Sequence, residues 1–255
     1  MNAVLADYLE TWGFEGDYIL FADGSIGFGM EVTPLDVTCW SNDRVNALSE
    51  KLSQFLNSLP DGLDIQFVQE IRAGNEKTIV AHRALADQAE DRAARTLCEE
   101  RANRFLELDR QGRVPFHGLK LFVRRKPNEL LLSKPKVFSN QNQFEPVAQA
   151  KLEREIELTE RLRESIYQGV TGLGCQSRTL TSDEIYREMY GIWNPARVID
   201  APSYDPEYVR SSVVFSDVAI SERGFTMADC HHRVVSLKLL PDQTFASMAS
   251  ILRDL

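Results

Sequence analysis

No Gly-Lys dipeptide occurs anywhere in the 255 residues of this chain. A P-loop that hydrolyses nucleotides needs a G-x-x-x-x-G-K-[ST] segment, in which backbone amides and the lysine hold the phosphates. The motifs H-E-x-x-H, G-x-S-x-G and H-x-E…P-C-x-x-C are missing as well. We therefore predict that the chain itself is not an enzyme and that it holds no cofactor and no metal ion.

Excess positive charge and long apolar runs are also missing. The formal net charge is −9 at pH 7, which argues against direct nucleic-acid binding, since neutralising phosphates takes an excess of Lys and Arg. No apolar run approaches the roughly 18 residues of a membrane span, and the N-terminal segment does not resemble a secretory signal. The cysteines are far apart and form no C-x-x-C pair, which favours reduced thiols and a cytoplasmic location: Cys39, Cys98, Cys175 and Cys230.

The segment Tyr18 to Val32, YILFADGSIGFGMEV, is the most informative part of the sequence. Its glycines have a spacing near that of a dinucleotide-binding loop, but no helix follows to supply free N–H groups to an anion. Apolar residues alternate with Gly27, Gly29 and Glu31, which predicts a half-buried strand. Asp23-Gly24 suits a tight turn. We interpret the segment as a β-hairpin.

The residues around the hairpin predict an α+β fold. A short helix is expected at Ala3 to Trp12, and a second helix follows Ser41 or Asn42, with its apolar residues on one face. Leu63 to Arg72 alternates as a strand that pairs with the hairpin. The expected architecture is a mixed or antiparallel sheet that starts with a β-hairpin and is packed by helices.

Two long charged helices are predicted, at Glu76 to Arg110 and at Val147 to Val170. The first has mostly alanine on its apolar side, so it is expected to project from the domain or to pack one narrow stripe. The strand His117 to Arg125 lies between the two helices, which are expected to pack as an antiparallel pair. Residues 126–146, with three prolines and an Asn/Gln stretch, are predicted to form a flexible loop.

The C-terminal third begins with a helix signal. Thr181 and Glu184 are spaced as a capping box, and Pro195 ends the helix at Asn194. Strands are predicted at residues 213–220, 225–228 and 234–239, followed by a final amphipathic helix. Cys230, His231 and His232 are neighbours on a strand and so cannot easily converge on one metal ion.

We predict one composite domain. It comprises residues 1–125, with the hairpin and the first long helix, the loop 126–146, and residues 147–255, with the second long helix and the C-terminal α+β part.

One basic spot stands out against the acidic background. It has two interpretations: charges that protect a strand edge and a solvated loop, or a contact with anionic lipid headgroups or an acidic partner. The candidate contact residues are Arg124, Arg125, Lys126, Lys134 and Lys136.

Four segments together resemble the N-terminal region of the TraC-like conjugation ATPases, the cytoplasmic motor proteins of type IV secretion systems. Ala22 to Leu35 resembles the opening strand pair, and Leu48 to Ile71 resembles the next helix and strand. Leu180 to Arg197 resembles a helix that ends in Asn-Pro, and Val234 to Leu255 resembles the strand and helix that precede the motor domain. The segments occur in the expected order.

The resemblance implies an N-terminal docking and assembly domain that serves DNA transfer and pilus assembly. Such a domain would lie peripherally at the bacterial inner membrane and contact inner-membrane proteins of the secretion system and other copies of the same ATPase. ATP and Mg²⁺ are expected only in a C-terminal RecA-like domain, which this chain lacks. The alternatives are a stand-alone adaptor and a stand-alone α+β enzyme with an acidic or Cys/His site, such as Cys175 with His117.

Overall fold

The computed structural model describes residues 9–37, 39–72, 74–89, 91–126, 149–195, 202, 204, 209–214, 218–221, 224–227 and 230–234. The strands in these ranges are β1 (Thr11–Glu15), β2 (Tyr18–Phe21), β3 (Ile26–Thr33), β4 (Leu63–Arg72), β5 (Phe116–Arg125), β6 (Gln176–Thr179), β7 (Val218–Ser221), β8 (Gly224–Met227) and β9 (Cys230–His232). The helices are α1 (Asn42–Asn57), α2 (Glu76–Ala84), α3 (Arg92–Arg110), α4 (Gln149–Gly172), α5 (Ser182–Trp193) and α6 (Val209–Val213), with a 3-10 turn at Leu85–Gln88. The fold is α+β, as the sequence predicts.

The predicted hairpin is present as β2 and β3. Gly24 has a φ of 83°, and the Ser25 N–H donates to Asp23 Oδ1 at 2.9 Å, so Asp-Gly forms the turn for the expected reason. The helix predicted at Ala3 to Trp12 is wrong at its C-terminal end, because Thr11–Glu15 is strand β1. Residues 1–8 lie outside the described ranges. Pairing with β2 determines the conformation of β1, and a single sequence does not reveal that pairing.

The main sheet has six strands in the described residues, in the order β1-β2-β3-β5-β4. β6 pairs with the second half of β3, on the side where β2 pairs with its first half. β5 therefore lies between β3 and β4. The predicted pairing of β4 with the hairpin is wrong, because β4 pairs with β5 instead. The part of the chain after residue 147 contributes β6 to a sheet that is otherwise built from the first 125 residues.

One face of this sheet carries the largest core cluster. Ile26, Phe28, Met30 and Val32 point to this face beside Leu121 and Val123 of β5, and α4 covers them with Leu162, Ile166 and Val170. Helix α1 is capped by Ser41, as predicted. It adds Phe55 to this cluster, yet none of its residues is buried.

The opposite face is also covered, so β3 is more buried than the predicted half-buried strand. A Cβ added at Gly29 would lie 2.9 Å from Phe122 Cε1 and 3.1 Å from Leu180 Cδ1. At Gly27 it would lie 2.6 Å from the Val123 carbonyl oxygen. The glycines therefore let β5 and Leu180, which lies between β6 and α5, approach the backbone of β3.

The long charged helices differ from the prediction. Residues 76–110 do not form one helix, because Asp91 caps α3 by accepting a hydrogen bond from the Ala94 N–H at 3.2 Å. The chain turns there, and α3 packs against α2. Helix α4 packs instead on β3 and β6. The predicted antiparallel pair of long helices is therefore replaced by a helical arm, which we define as α2, the 3-10 turn and α3, inserted between β4 and β5.

The C-terminal third is partly described. Thr181 and Glu184 form the predicted capping box of α5, which ends before Asn194. The strand predicted at 213–220 is wrong at its start, because Val213 is the last residue of α6 and β7 begins at Val218. β7, β8 and β9 form a separate antiparallel sheet. Residues 235–239 of the next predicted strand, the predicted final helix and residues 127–146 of the predicted loop lie outside the described residues. Among the described residues, none of the helices combines the length and apolar character needed to cross a bilayer.

Candidate functional site

The basic spot lies at the C-terminal end of β5. Consecutive strand residues point to opposite faces, so Arg124 lies on the glycine face of the sheet and Arg125 on the face covered by α4. Lys126 is exposed at the end of the strand. Lys134 and Lys136 lie outside the described residues. The structure thus separates the two arginines, which are adjacent in the sequence.

Arg124 is held by two acidic side chains from the start of the chain. Its guanidinium donates to Asp23 Oδ2 at 2.7 Å and pairs with Glu10, and it lies 4.4 Å from the centre of the Phe21 ring. Partial burial would by itself raise the pKa of Asp23, but the Ser25 N–H and Arg124 outweigh it and hold that pKa below its ordinary value. Arg124 thus ties β5 to the hairpin turn.

Arg125 ties β5 to α4 in a drier environment. Its guanidinium pairs with the Glu155 carboxylate, and the two side chains are 12% and 6% exposed. It also donates to the Glu155 carbonyl oxygen at 3.0 Å and to Thr159 Oγ1 at 3.2 Å. Thr159 is fully buried. Three oxygen atoms thus accept hydrogen bonds from this guanidinium. A buried cation needs such partners, because burial removes its contacts with water.

A second polar tie joins α4 to β2. The Tyr18 hydroxyl donates to Glu160 Oε2, and Arg163 holds the other oxygen of that carboxylate at 2.6 Å. Burial raises the pKa of Tyr18, and the hydrogen bond to Glu160 raises it further. The same hydrogen bond, with Arg163, lowers the pKa of Glu160.

These contacts bear on the predicted partner surface. Arg124 and Arg125 both face carboxylates of their own chain, at positions the sequence does not connect with them. Their charge is therefore largely compensated where they lie. A headgroup or partner contact through the basic spot stays a prediction, and the charge most open to it in the described residues is that of Lys126.

Lys120 is a buried cation that the sequence analysis missed. It lies on β5, and only 8% of its surface is exposed. Its Nζ lies 2.5 Å from Glu188 of α5 and 3.4 Å from Glu70 of β4. The alternation of β5 places Lys120 on the face opposite Leu121 and Val123, and the sequence alone suggests that this face is in water. The structure shows that α5 covers Lys120 there, with Glu188 beside it.

The helical arm exposes apolar side chains. Val80 on α2 is 51% exposed and Leu97 on α3 is 66% exposed. At the base of the arm, the Asn75 N–H donates to Asp109 Oδ1 at 2.8 Å. Among the described residues of the arm, the buried ones are Ile79, Ala86 and Ala102. The arm is thus fixed at its base and presents apolar surface along its helices.

The structure describes the surroundings of Cys175, His231 and His232. Burial raises the pKa of the Cys175 thiol, whereas a nucleophilic cysteine needs a lowered pKa. His232 stacks on Phe225 with ring centres 5.0 Å apart, and His231 Nδ1 lies 3.1 Å from Thr226 Oγ1. No group of three or more His, Cys, Asp or Glu side chains in the described residues is arranged to hold a metal ion.

A cleft of about 370 Å³ opens where β3 ends and β5 begins. Its acidic lining residue, Glu31, pairs with Arg178 at 2.6 Å. A smaller cleft of about 280 Å³ lies between α1 and the turn after α4, beside Trp40 and Arg44. Neither cleft brings several carboxylates together.

Comparison with known proteins gives one family. The model of the family described as TraC protein matches residues 5–251, which is nearly the whole chain, whereas no curated protein matches. Membership of this family indicates a role in conjugation and type IV secretion. On the extent of that match, the chain belongs to the TraC protein family.

Proposed function

We propose that this chain is the N-terminal docking and assembly domain of a conjugative type IV secretion ATPase, and that it anchors the motor at the inner-membrane part of the secretion complex. The observation that carries the proposal is the family match over residues 5–251. Within this proposal the domain is cytoplasmic and lies peripherally at the membrane. In this proposal the domain binds other proteins of the secretion complex, and nucleotide hydrolysis belongs to a separate motor domain.

The helical arm supports a docking role. Strands β4 and β5 pair without interruption from Leu63 to Arg72, and a two-residue turn is enough to join such a pair. Residues 73–115 are therefore not needed to form the hairpin. Val80 and Leu97 are more than half exposed on this insertion, and exposed apolar surface is typical of protein interaction sites.

Leu97 offers a direct test of this docking surface. In donor cells whose only copy of the protein carries Leu97→Lys or Val80→Lys, we expect the transfer frequency to fall at least about tenfold, as for the loss of an interface anchor. The inner-membrane proteins of the same secretion system should no longer co-purify. Ile192→Lys is the matched control, because Ile192 is similarly exposed, at 62%, on α5. Normal transfer and co-purification with both arm variants would refute docking through the arm.

The absence of nucleotide chemistry has its own test. The glycines at 24 and 27 belong to the β2–β3 turn and to strand β3, and no Gly-Lys dipeptide is present. We expect calorimetry to detect no binding of Mg-ATP to the isolated chain. A micromolar affinity that Gly24→Ala abolishes would contradict this part of the proposal.

A further inference from the structure

The outer edge of β4 is long, regular and unpaired in the part of the chain that the structure describes. β4 is the terminal strand of the main sheet, and its ten residues pair with β5 in one unbroken register. At the other end, β1 has five residues, and its register shifts between Thr11 and Gly13. Short strands, bulges, Pro and charged side chains, especially Lys, discourage edge-to-edge pairing. β4 has no bulge, Pro or Lys, and its charged residues are Asp64, Glu70 and Arg72.

The edge also carries exposed apolar side chains. Leu63 and Ile65 pack against the main core, whereas Phe67 is 52% exposed and Ile71 is 55% exposed on the same face of the strand. Two large apolar residues on an open edge are costly in water and are usually covered. A partner that adds a strand here would cover them and form a ladder of backbone hydrogen bonds along β4.

We propose that the outer edge of β4 is a homodimer interface, at which the β4 strands of two copies pair antiparallel about a two-fold axis at Val68 and join two sheets into one. A second copy fits because the edge is complementary to itself. This inference uses the assembly role proposed above only for the choice of partner.

The side-chain pattern selects the register. Side chains of the same face must lie opposite each other in antiparallel strands, so the axis passes through a residue of β4. With the axis at Phe67, Asp64 would face Glu70 of the other copy twice, which places like charges directly opposite. With the axis at Val68, Gln66 faces Glu70 and Ile65 faces Ile71, and the overlap is equally long. The Val68 axis therefore avoids the repulsion without shortening the ladder.

Helix α1 lies on the same face of the sheet as Phe67 and Ile71. It precedes β4 and packs on the same core cluster through Phe55, while Leu52 and Leu56 are 39% and 41% exposed. A two-fold axis perpendicular to the sheet keeps the α1 helices of both copies on one face. No residue of α1 is buried within one copy, so Leu52 and Leu56 leave further apolar surface open on this face.

Light scattering on the 255-residue chain gives the first test. We expect a dimer at micromolar concentration, and we expect Phe67→Lys and Ile71→Lys each to raise the dimer dissociation constant at least about tenfold, because the change occurs in both copies at an interface anchor. Leu97→Lys is the control, since Leu97 is at least as exposed but lies on α3. Circular dichroism identifies any variant that fails to fold, and the two lysine variants provide independent evidence.

Cysteine cross-linking tests the register. Val68→Cys, made together with Cys39→Ser to remove the exposed thiol, brings two Cα atoms within the 4.4–6.8 Å or so that a disulfide spans. Gln66→Cys places its two copies four residues apart along the strand, about 13 Å, and should not cross-link. Under mild oxidation we expect a disulfide dimer from the Val68→Cys variant and none from the Gln66→Cys variant.

A chain that stays monomeric at all accessible concentrations would overturn the inference, as would a dimer that Phe67→Lys and Ile71→Lys leave intact. An equally large rise of the dimer dissociation constant with Leu97→Lys would also overturn it. So would a disulfide dimer formed by Gln66→Cys but not by Val68→Cys. These outcomes remain separate from the docking proposal. A monomeric chain whose Leu97→Lys variant still loses transfer and its membrane partners would reject the dimer and keep the docking role.

Discussion

Replacing Arg125 by leucine tests whether the basic spot supports the fold or serves a partner. The change removes a guanidinium whose side chain is 12% exposed and leaves the Glu155 carboxylate, 6% exposed, without its counter-charge. Breaking a buried ion pair by removing one partner costs about 3–5 kcal/mol. Thr159 still donates to the Glu155 carbonyl oxygen at 2.8 Å, so the loss comes mainly from the uncompensated carboxylate.

Arg124→Leu is the matched control, one residue earlier on the same strand. Its partners Glu10 and Asp23 have side chains that are 69% and 47% exposed, and exposed pairs contribute only about 0–1 kcal/mol each. Arg125→Leu/Glu155→Leu should recover part of the loss, because the buried charge is then gone from both sides. We expect the free energy of unfolding to decrease in the order wild type, Arg124→Leu, the double variant and Arg125→Leu.

Urea unfolding followed by circular dichroism measures these differences. For Arg125→Leu, a loss of about 3–5 kcal/mol lowers the urea midpoint by about 1–2.5 M if the slope is about 2–3 kcal/mol per M. An unchanged slope shows that the stability has changed and the surface exposed on unfolding has not. Equal and small losses for Arg124→Leu and Arg125→Leu would refute the reasoning, because Arg125 would then be available to a partner rather than committed to Glu155.

Three further predictions concern the hairpin, the cap of α5 and acid stability. Gly27→Ala should lower the free energy of unfolding by about 1–3 kcal/mol, since its Cβ would meet the rigid Val123 carbonyl at 2.6 Å; Gly13→Ala, with nothing within 4 Å, should be near neutral. Thr181→Ala removes the cap of α5 and should cost about 1 kcal/mol in the same unfolding assay. Asp23, Glu160 and Glu184 have carboxyl pKa values that hydrogen bonds lower in the folded state. The unfolded chain therefore binds more protons, and the free energy of unfolding should decrease as the pH falls from about 5 to 3. A free energy of unfolding that does not change over this pH range would contradict the prediction.

Local patterns were enough for part of the fold. The period-two alternation of β3 and the Asp-Gly turn before it depend on neighbouring residues, and the sequence predicts both. The capping box at Thr181 and Glu184 is confirmed for the same reason. Each of these signals lies within a few residues of the structure that it determines.

Features that depend on distant partners could not be predicted. Thr11–Glu15 is extended because it pairs with β2, whereas the sequence predicts that a helix continues to Trp12. The break at Asp91 had a local signal, since Asp is a good N-cap, but a continuous charged helix fitted the same residues. Partners of the basic spot are separated from it by 114 residues for Glu10 and by 30 residues for Glu155, so no local pattern shows that the two arginines are already paired.

The distribution of charge and apolar surface favours apolar contacts for this domain. Arg124 and Arg125 are paired internally, whereas Phe67 and Leu97 are more than half exposed. The two kinds of contact respond differently to salt, because interactions between exposed charges are screened within about 8 Å at physiological ionic strength and burial of apolar area is not. Raising the salt concentration from about 50 to 500 mM should therefore leave dimerisation and co-purification with membrane partners nearly unchanged. A steep loss of either with salt would instead assign that contact to the basic spot and its remaining lysines.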